Sequence, residues 1–264
     1  MISFLAGLPL WLSGMLIVGL PTVLAMLGPI IVRRYVTLET LAENNEIAGF
    51  KFAVIGVLYA VLLAFAIIVV WERFSVAENT VATEAGAVAN IYRLSQGING
   101  QPGIALRGAL TNYLRAVISS DWPAMERGRP STSAREALDG VYKALLRFES
   151  PERRDTALVS EILRQVDTIT QMRRARLSAA AGLVPGVIWP ALFGGAIITI
   201  VYTFFFGSRN LRAQTLMTGM LSIIILSGLL TAIVIDQPFT GVVKVTPHAL
   251  TQVLEDLGSM PADH

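Results

Sequence analysis

With 264 residues, 53% of them hydrophobic and only 15% charged, and a mean hydropathy of +0.59, the chain falls outside the composition of water-soluble domains, where about a quarter of residues are charged. It reads as an integral membrane protein. The balance of 21 basic against 19 acidic residues argues against nucleic acid as a partner, and the lack of cysteine removes disulfides, thiolate catalysis and cysteine metal sites. His248 and His264 are the only imidazoles and belong to no spaced ligand set, so no metal or cofactor is expected.

The first 32 residues carry no charge and end at Arg33 and Arg34. A secretory signal has its positive charge ahead of the apolar stretch, so this order is that of a retained helix with an exported amino terminus. Four apolar segments are long enough to cross a bilayer: Leu8 to Val32, Phe52 to Trp71, Leu183 to Phe206 and Leu216 to Ile235. They form two hairpins with short polar turns. The expected fold is an all-α membrane protein of four transmembrane helices in two hairpins, with a helical extramembrane domain inserted between spans 2 and 3. The division follows as 1–74 for the first hairpin, 75–182 for the aqueous domain, 183–236 for the second hairpin and 237–264 for a C-terminal tail.

Orientation is read from the turns. Arg33, Arg34 and Lys51 lie in one and Arg209 and Arg212 in the other, which places both in the cytoplasm. The amino terminus, helical domain and C-terminus then lie outside, with Trp11, Trp71 and Trp189 in one outer belt. Arg173, Arg174 and Arg176 stand against this assignment.

The aqueous segment is helical throughout. The second span runs on past the membrane with Phe74, Ala77, Val81, Ala85, Val88, Ile91 and Ser95 at three- and four-residue spacing, and ends at "QGINGQPG". A helix over Ile104 to Ser120 stops before "DWPAMERGRP". Another opens on Ser133 and Glu136 in capping-box spacing. A further one starts at Ser150 and Pro151 and carries the stripe Leu158, Ile162, Val166, Ile169, Met172 and Leu177.

Several features bear on function. Gly56, Ala60 and Ala64 lie four apart and suit close helix packing. Pro21 and Pro29 interrupt the first span, which reads either as a structural kink or as an ion-coordinating break. Glu72, Arg73 and Asp236 stand at the outer membrane edge; Asp236 sits at a helix C-terminus, where the macrodipole disfavours a negative charge, so it calls either for a cationic partner such as Arg73 or Arg176, in an ion pair that fixes helix ends, or for a function. Asn45, Glu46 and Lys51, with Glu43 and Asn44, make a polar cluster in the first cytoplasmic turn, read either as an ion site or as a capped loop. Phosphate loop, nucleophile elbow and mid-span charge are all missing, which argues against an enzyme.

The runs "NNEIAGFKFAVIGVLYAVLLAFAIIVVWERF", "EAGAVANIYRLSQ", "NYLRAVISSDWPAM", "RRARLSAAAGLVPGVIW" and "IDQPFTGVVKVTPHAL", in this order, resemble the bacterial bestrophin-like family of membrane proteins. The resemblance covers nearly the whole chain. It implies a distant relation to bestrophins, oligomeric anion channels with a four-span pore region. It therefore implies one subunit of a homo-oligomeric ring in the lipid bilayer, passing inorganic ions, with the second helix as pore wall. Gly56, Tyr59, Ala60, Glu72, Arg73 and Asp236 are the pore or vestibule candidates. No bestrophin neck or acidic calcium clasp matches residue by residue, so anion selectivity and calcium gating are not carried over. The reading from another class is a non-conducting membrane-anchored sensor or scaffold whose external helical domain binds a partner.

Overall fold

A computed structural model describes residues 9–43, 45–129, 131–148, 153–180, 182 and 185–259. Leu8, Asn44, Ser150, Pro151, Leu183 and His264, which figure in the expectations above, lie outside the described residues. Every regular element among the described residues is helical. Four helices are long and apolar enough to cross a membrane: α1 (Leu10–Tyr35), α3 (Asn45–Ser95), α8 (Ile188–Tyr202, extended by a 3-10 turn to Phe205) and α9 (Leu211–Ile235). The short α2 (Leu38–Glu43) fills the first turn. The chain divides into two compact units: one takes in Met1–Arg73, Leu183–Gln237 and Gly241–Val243, the other Phe74–Gly182, Pro238–Thr240 and Lys244–His264.

In the membrane unit α9 is central. Its most apolar stretch is 56% buried against 17% for that of α3, so α9 packs against its neighbours while α3 leaves most of its circumference free. Leu229, Ala232 and Ile233 of α9 pack with Ile17, Ala66, Trp189 and Leu192. A second cluster joins Ala25, Tyr59, Ala196, Ile200, Ile225 and Leu226. The hydroxyls buried among these helices turn back to backbone carbonyls, Thr199 Oγ1 to Gly195 O at 2.7 Å and Ser222 Oγ to Thr218 O at 2.7 Å. That is how a polar side chain is accommodated in hydrocarbon. Trp189 is 5% exposed and therefore packs in the core, leaving Trp11 and Trp71 as the exposed tryptophans of the expected belt.

The expected break in α1 takes the form of a π turn over Met15–Gly19. Pro21 has no N–H to give to the carbonyl of Ile17, and its ring crowds that carbonyl, so the helix widens by one residue around it. Pro123 acts in the same way on Ser119 in the second π turn, Val117–Asp121. Pro29 lies inside the helix, which continues past it.

The second unit is a helical bundle. The continuous 51-residue α3 contributes Ala77, Val81, Ala85, Val88 and Ile91 to its core. α4 (Gln101–Ala116) continues through the π turn into α5 (Trp122–Glu126), so the "DWPAM" segment is helical and does not end the helix as expected. The turn between α3 and α4 needs Gly100, whose φ of 77° lies in the left-handed region. α6 (Thr132–Leu146) is capped by Ser131, whose hydroxyl accepts from Ala134 N at 3.4 Å, two residues ahead of the expected cap at Ser133. α7 (Arg153–Ala179) buries Ile162, Val166 and Ile169. The segment read as a tail forms α10 (His248–Ser259), and its Leu250 and Leu257 join the same core, so an amphipathic stripe at residues 250, 253, 254 and 257 is part of the bundle.

Candidate functional site

The pore candidates divide by the face of α3 on which they fall. Tyr59 is 6% exposed and points into the subunit, its ring lying against Gly195; a Cβ at Gly195 would come within 2.5 Å of that ring. Gly195 thus exists to let α8 approach Tyr59 closely. The Tyr59 hydroxyl is buried without a hydrogen-bond partner among the described residues. Ala60 and Ala64 are exposed, and Gly56, half-buried, has open space where a Cβ would stand. The expected close contact through these small residues is thus not made within the subunit. Centred on the side opposite Tyr59, a row of large apolar residues is free: Phe50, Val54, Val57, Val61, Phe65 and Ile68, continued by the exposed Glu72. Spacings of three and four keep the row on one face. Periodicity does not reveal it, because apolar residues surround the helix and no polar face marks the contrast.

Glu72 and Arg73 are exposed at the end of this span. Asp236, 3% exposed, is the C-cap of α9, and Gln237 Nε2 donates to its Oδ2 at 3.4 Å. In the turn cluster the side chains have different surroundings. Asn45 is consumed by a reciprocal pair of bonds to one residue, Nδ2 donating to Gly207 O at 2.6 Å and Oδ1 accepting from Gly207 N at 2.8 Å. It clamps the two turns together, while Glu46 and Lys51 are exposed. Gly207 is required there, since a Cβ would meet Ala42 N at 2.4 Å.

The second unit holds a buried charge cluster that lies outside the expected site residues. Arg176 lies fully buried and makes a bidentate pair with Glu84, Nε to Oε2 at 2.8 Å and Nη2 to Oε1 at 3.0 Å. Nη2 also reaches Asp121 Oδ2 at 3.2 Å, and Nη1 donates to Met125 Sδ at 3.0 Å. Its guanidinium stacks over Trp122, 4.9 Å from the ring centroid. Arg173 grips Asp121 from the other side with bonds of 3.0 and 3.1 Å, and gives a third to Ser131 O at 3.2 Å. Ser131 N closes the loop onto Asp121 Oδ1 at 3.1 Å, and the Tyr113 hydroxyl donates to Glu84 Oε1 at 2.6 Å. Two arginines and two carboxylates leave the cluster neutral, with both sides of each carboxylate engaged.

Burial, then the neighbouring Glu84 charge, raise the Tyr113 phenol well above its ordinary range. Burial alone would lower the Arg176 pKa; the Glu84 charge and hydrogen bond outweigh it and raise the value, so Arg176 is a permanent cation. The signal was present as a continuation of the α7 stripe: Ile162, Val166 and Ile169 are followed at the same spacing by Arg173 and Arg176. An arginine on a buried stripe demands a buried carboxylate, and Glu84 occupies such a position among Val81, Ala85 and Val88. Among the described residues no group of three or more His, Cys, Asp or Glu side chains is arranged to hold a metal ion.

Fold and composition together define an all-helical membrane protein with four candidate spans. The bestrophin-like domain model matches residues 19–250, and the chain belongs to the bestrophin-like family. Crystal structures of a bacterial bestrophin homologue from Klebsiella pneumoniae share the fold. One phased with zinc has a TM-score of 0.68 at 15% identity over 91% of this chain and 98% of that one. A point variant of it has a TM-score of 0.70 at 14% identity over 92% and 99%. No curated protein sequence matches the chain.

Proposed function

We propose that the chain is one subunit of an oligomeric ion channel of the bestrophin type, in the inner (plasma) membrane of a bacterium. The observation that carries the reading is the free apolar face of α3, on a helix whose membrane stretch is only 17% buried within its own subunit. A single subunit of four spans encloses no pore, so permeation needs copies arranged around an axis. The family and the fold, shared with a bacterial bestrophin homologue, supply the second support. In this arrangement Gly56 and Ala60 lie beside the pore face, Val57 and Val61 line it, and Glu72, Arg73 and Asp236 stand near one mouth. Tyr59 acts from behind, holding α3 against α8.

Orientation follows from the loop charges. Of the three arginines that stand against a cytoplasmic position of the two turns, Arg173 and Arg176 are neutralised by Asp121 and Glu84 and carry little weight, which leaves the exposed Arg174 against five basic residues in the turns.

The natural lack of cysteine makes the test direct. Single cysteines at Val57, Val61, Gly56 and Ala60 are placed in the purified oligomer and exposed to charged thiol reagents during ion flux. Modification at Val57 and Val61 that blocks flux supports the pore face. Equal insensitivity at all four positions, or a monomer in mild detergent, contradicts it.

A further inference from the structure

In the second unit the far end of α3 and the C-terminal half of α10 border a cavity of about 180 Å³. At about 30 Å³ per molecule of liquid water, that is the room of about six waters and the bulk of a small amino acid. Ala89, Val253 and Leu257 give the cavity an apolar wall, while Tyr92, Arg93 and Asp256 give it a polar one. Arg93 comes from the last turn of α3 and Asp256 from the last turn of α10. Measured along α3, Arg93 lies about 33 Å beyond Trp71, at the helical rise of about 1.5 Å per residue, so whatever fills the cavity arrives from water.

Arg93 and Asp256 carry opposite charges on one cavity and do not pair. The ion pairs of the described residues join other groups, and neither side chain makes a hydrogen bond among them. Each offers a free charge to the same space. Asp256 is the less expected of the two. In the last turn of a helix the macrodipole disfavours a negative charge, and this turn holds no basic residue to offset it. The carbonyls that end α10 add partial negative charge beside the carboxylate. An ammonium group complements both. Arg93 presents the opposite chemistry, a planar fork whose N–H groups match the two oxygens of one carboxylate.

We propose that this cavity binds a small zwitterion of amino-acid size, with its carboxylate on Arg93, its ammonium on Asp256 and its carbon chain against Ala89, Val253 and Leu257. A singly charged molecule satisfies one end of the site and leaves the other unpaired, which is the basis of selection. Because α3 runs unbroken from Asn45 to Ser95, the site stands at the far end of the helix that carries the second membrane span. The inference does not depend on whether the protein conducts.

The test is isothermal titration calorimetry of the full-length protein in mild detergent. Glycine, L-alanine and β-alanine are the zwitterionic probes, and acetate and methylammonium are the single-charge probes. Saturable, millimolar binding of at least one zwitterion is expected, with both single-charge probes roughly tenfold weaker or undetected. Arg93→Gln and Asp256→Asn each weaken the zwitterion roughly tenfold, the size of a charge-assisted hydrogen bond. Ala89→Phe, which fills the cavity from a half-buried position, abolishes binding. Arg174→Gln, which removes an exposed charge elsewhere in the unit, leaves the affinity at the wild-type value. Melting temperatures equal to wild type without ligand show that the variants are folded. No saturable binding of any of the three zwitterions overturns the inference and leaves Arg93 and Asp256 as two solvated charges. So does acetate or methylammonium binding as tightly as the zwitterion, which would mark a single ion contact. Wild-type affinity in Arg93→Gln, Asp256→Asn or Ala89→Phe would place the ligand elsewhere and likewise overturn it.

Discussion

Arg176→Met removes the cation at the centre of the buried cluster while keeping a long apolar side chain. Glu84 then loses both bonds of its bidentate pair, at 2.8 and 3.0 Å, and Asp121 loses one at 3.2 Å. Both carboxylates stay buried, Glu84 with only Tyr113 and Asp121 with Arg173 and the Ser131 amide. Stranding a buried charge in this way costs about 3–5 kcal/mol. For a chain of this length that lowers the melting temperature by roughly 6–20 °C, at about 2–4 °C per kcal/mol. The assay is thermal unfolding in detergent followed by far-UV circular dichroism, with tryptophan fluorescence reporting on Trp122 beside Arg176. The double variant Glu84→Gln with Arg176→Met recovers much of the loss, because an uncharged glutamine needs no counter-ion and still accepts from Tyr113. A loss below about 1 kcal/mol for Arg176→Met alone, or strict additivity of the two substitutions, would refute the claim that these groups act as one network.

Asn45→Ala leaves the N–H and carbonyl of Gly207 without their partner; a loss of about 1–3 kcal/mol is expected in the same melting assay, together with faster proteolysis at the two turns. Gly195→Val drives its side chain into the Tyr59 ring, 2.5 Å from the nearest Cβ position, and is expected to prevent assembly in detergent, whereas Tyr59→Phe, which deletes only a hydroxyl without a hydrogen-bond partner among the described residues, is neutral or stabilising. Because Tyr113 holds its proton more tightly in the fold than in the unfolded chain, the stability it contributes is complete below the unfolded pKa of about 10 and is lost as pH rises above it; Tyr113→Phe flattens that alkaline slope of melting temperature against pH.

How much of the fold and of the site is legible in the sequence depends on what each residue type signals. Uncharged length marks a membrane span without reference to its neighbours, which is why Phe52 to Trp71 stands out from the order of its residues alone. Helix stripes are equally legible where apolar and polar residues alternate, as at Ile162, Val166 and Ile169. Past Ile169 the apolar stripe reads on through Met172 and Leu177 and passes over Arg173 and Arg176, because an arginine ordinarily marks a solvated face, and only Glu84 and Asp121, 92 and 55 residues distant from Arg176, make these positions interior ones. Conversely, Asn45, Glu46 and Lys51 look like a cluster because they are close in sequence, but the fold gives Asn45 a backbone partner 162 residues away and leaves Glu46 and Lys51 exposed. The free face of α3 is hidden for a third reason. In a helix apolar on all sides, only the positions of α8 and α9 decide which side is left over.

The measurement that bears most directly on the central claim is ion flux from liposomes containing the purified oligomer. Potassium, sodium and chloride gradients are compared at several pH values and membrane potentials, with empty liposomes and the Asp236→Asn variant alongside. The channel reading predicts flux above the empty control, with a selectivity that Asp236→Asn alters. Absence of flux from protein shown to be folded and oligomeric would contradict it and favour a membrane-anchored sensor or scaffold acting through its helical unit.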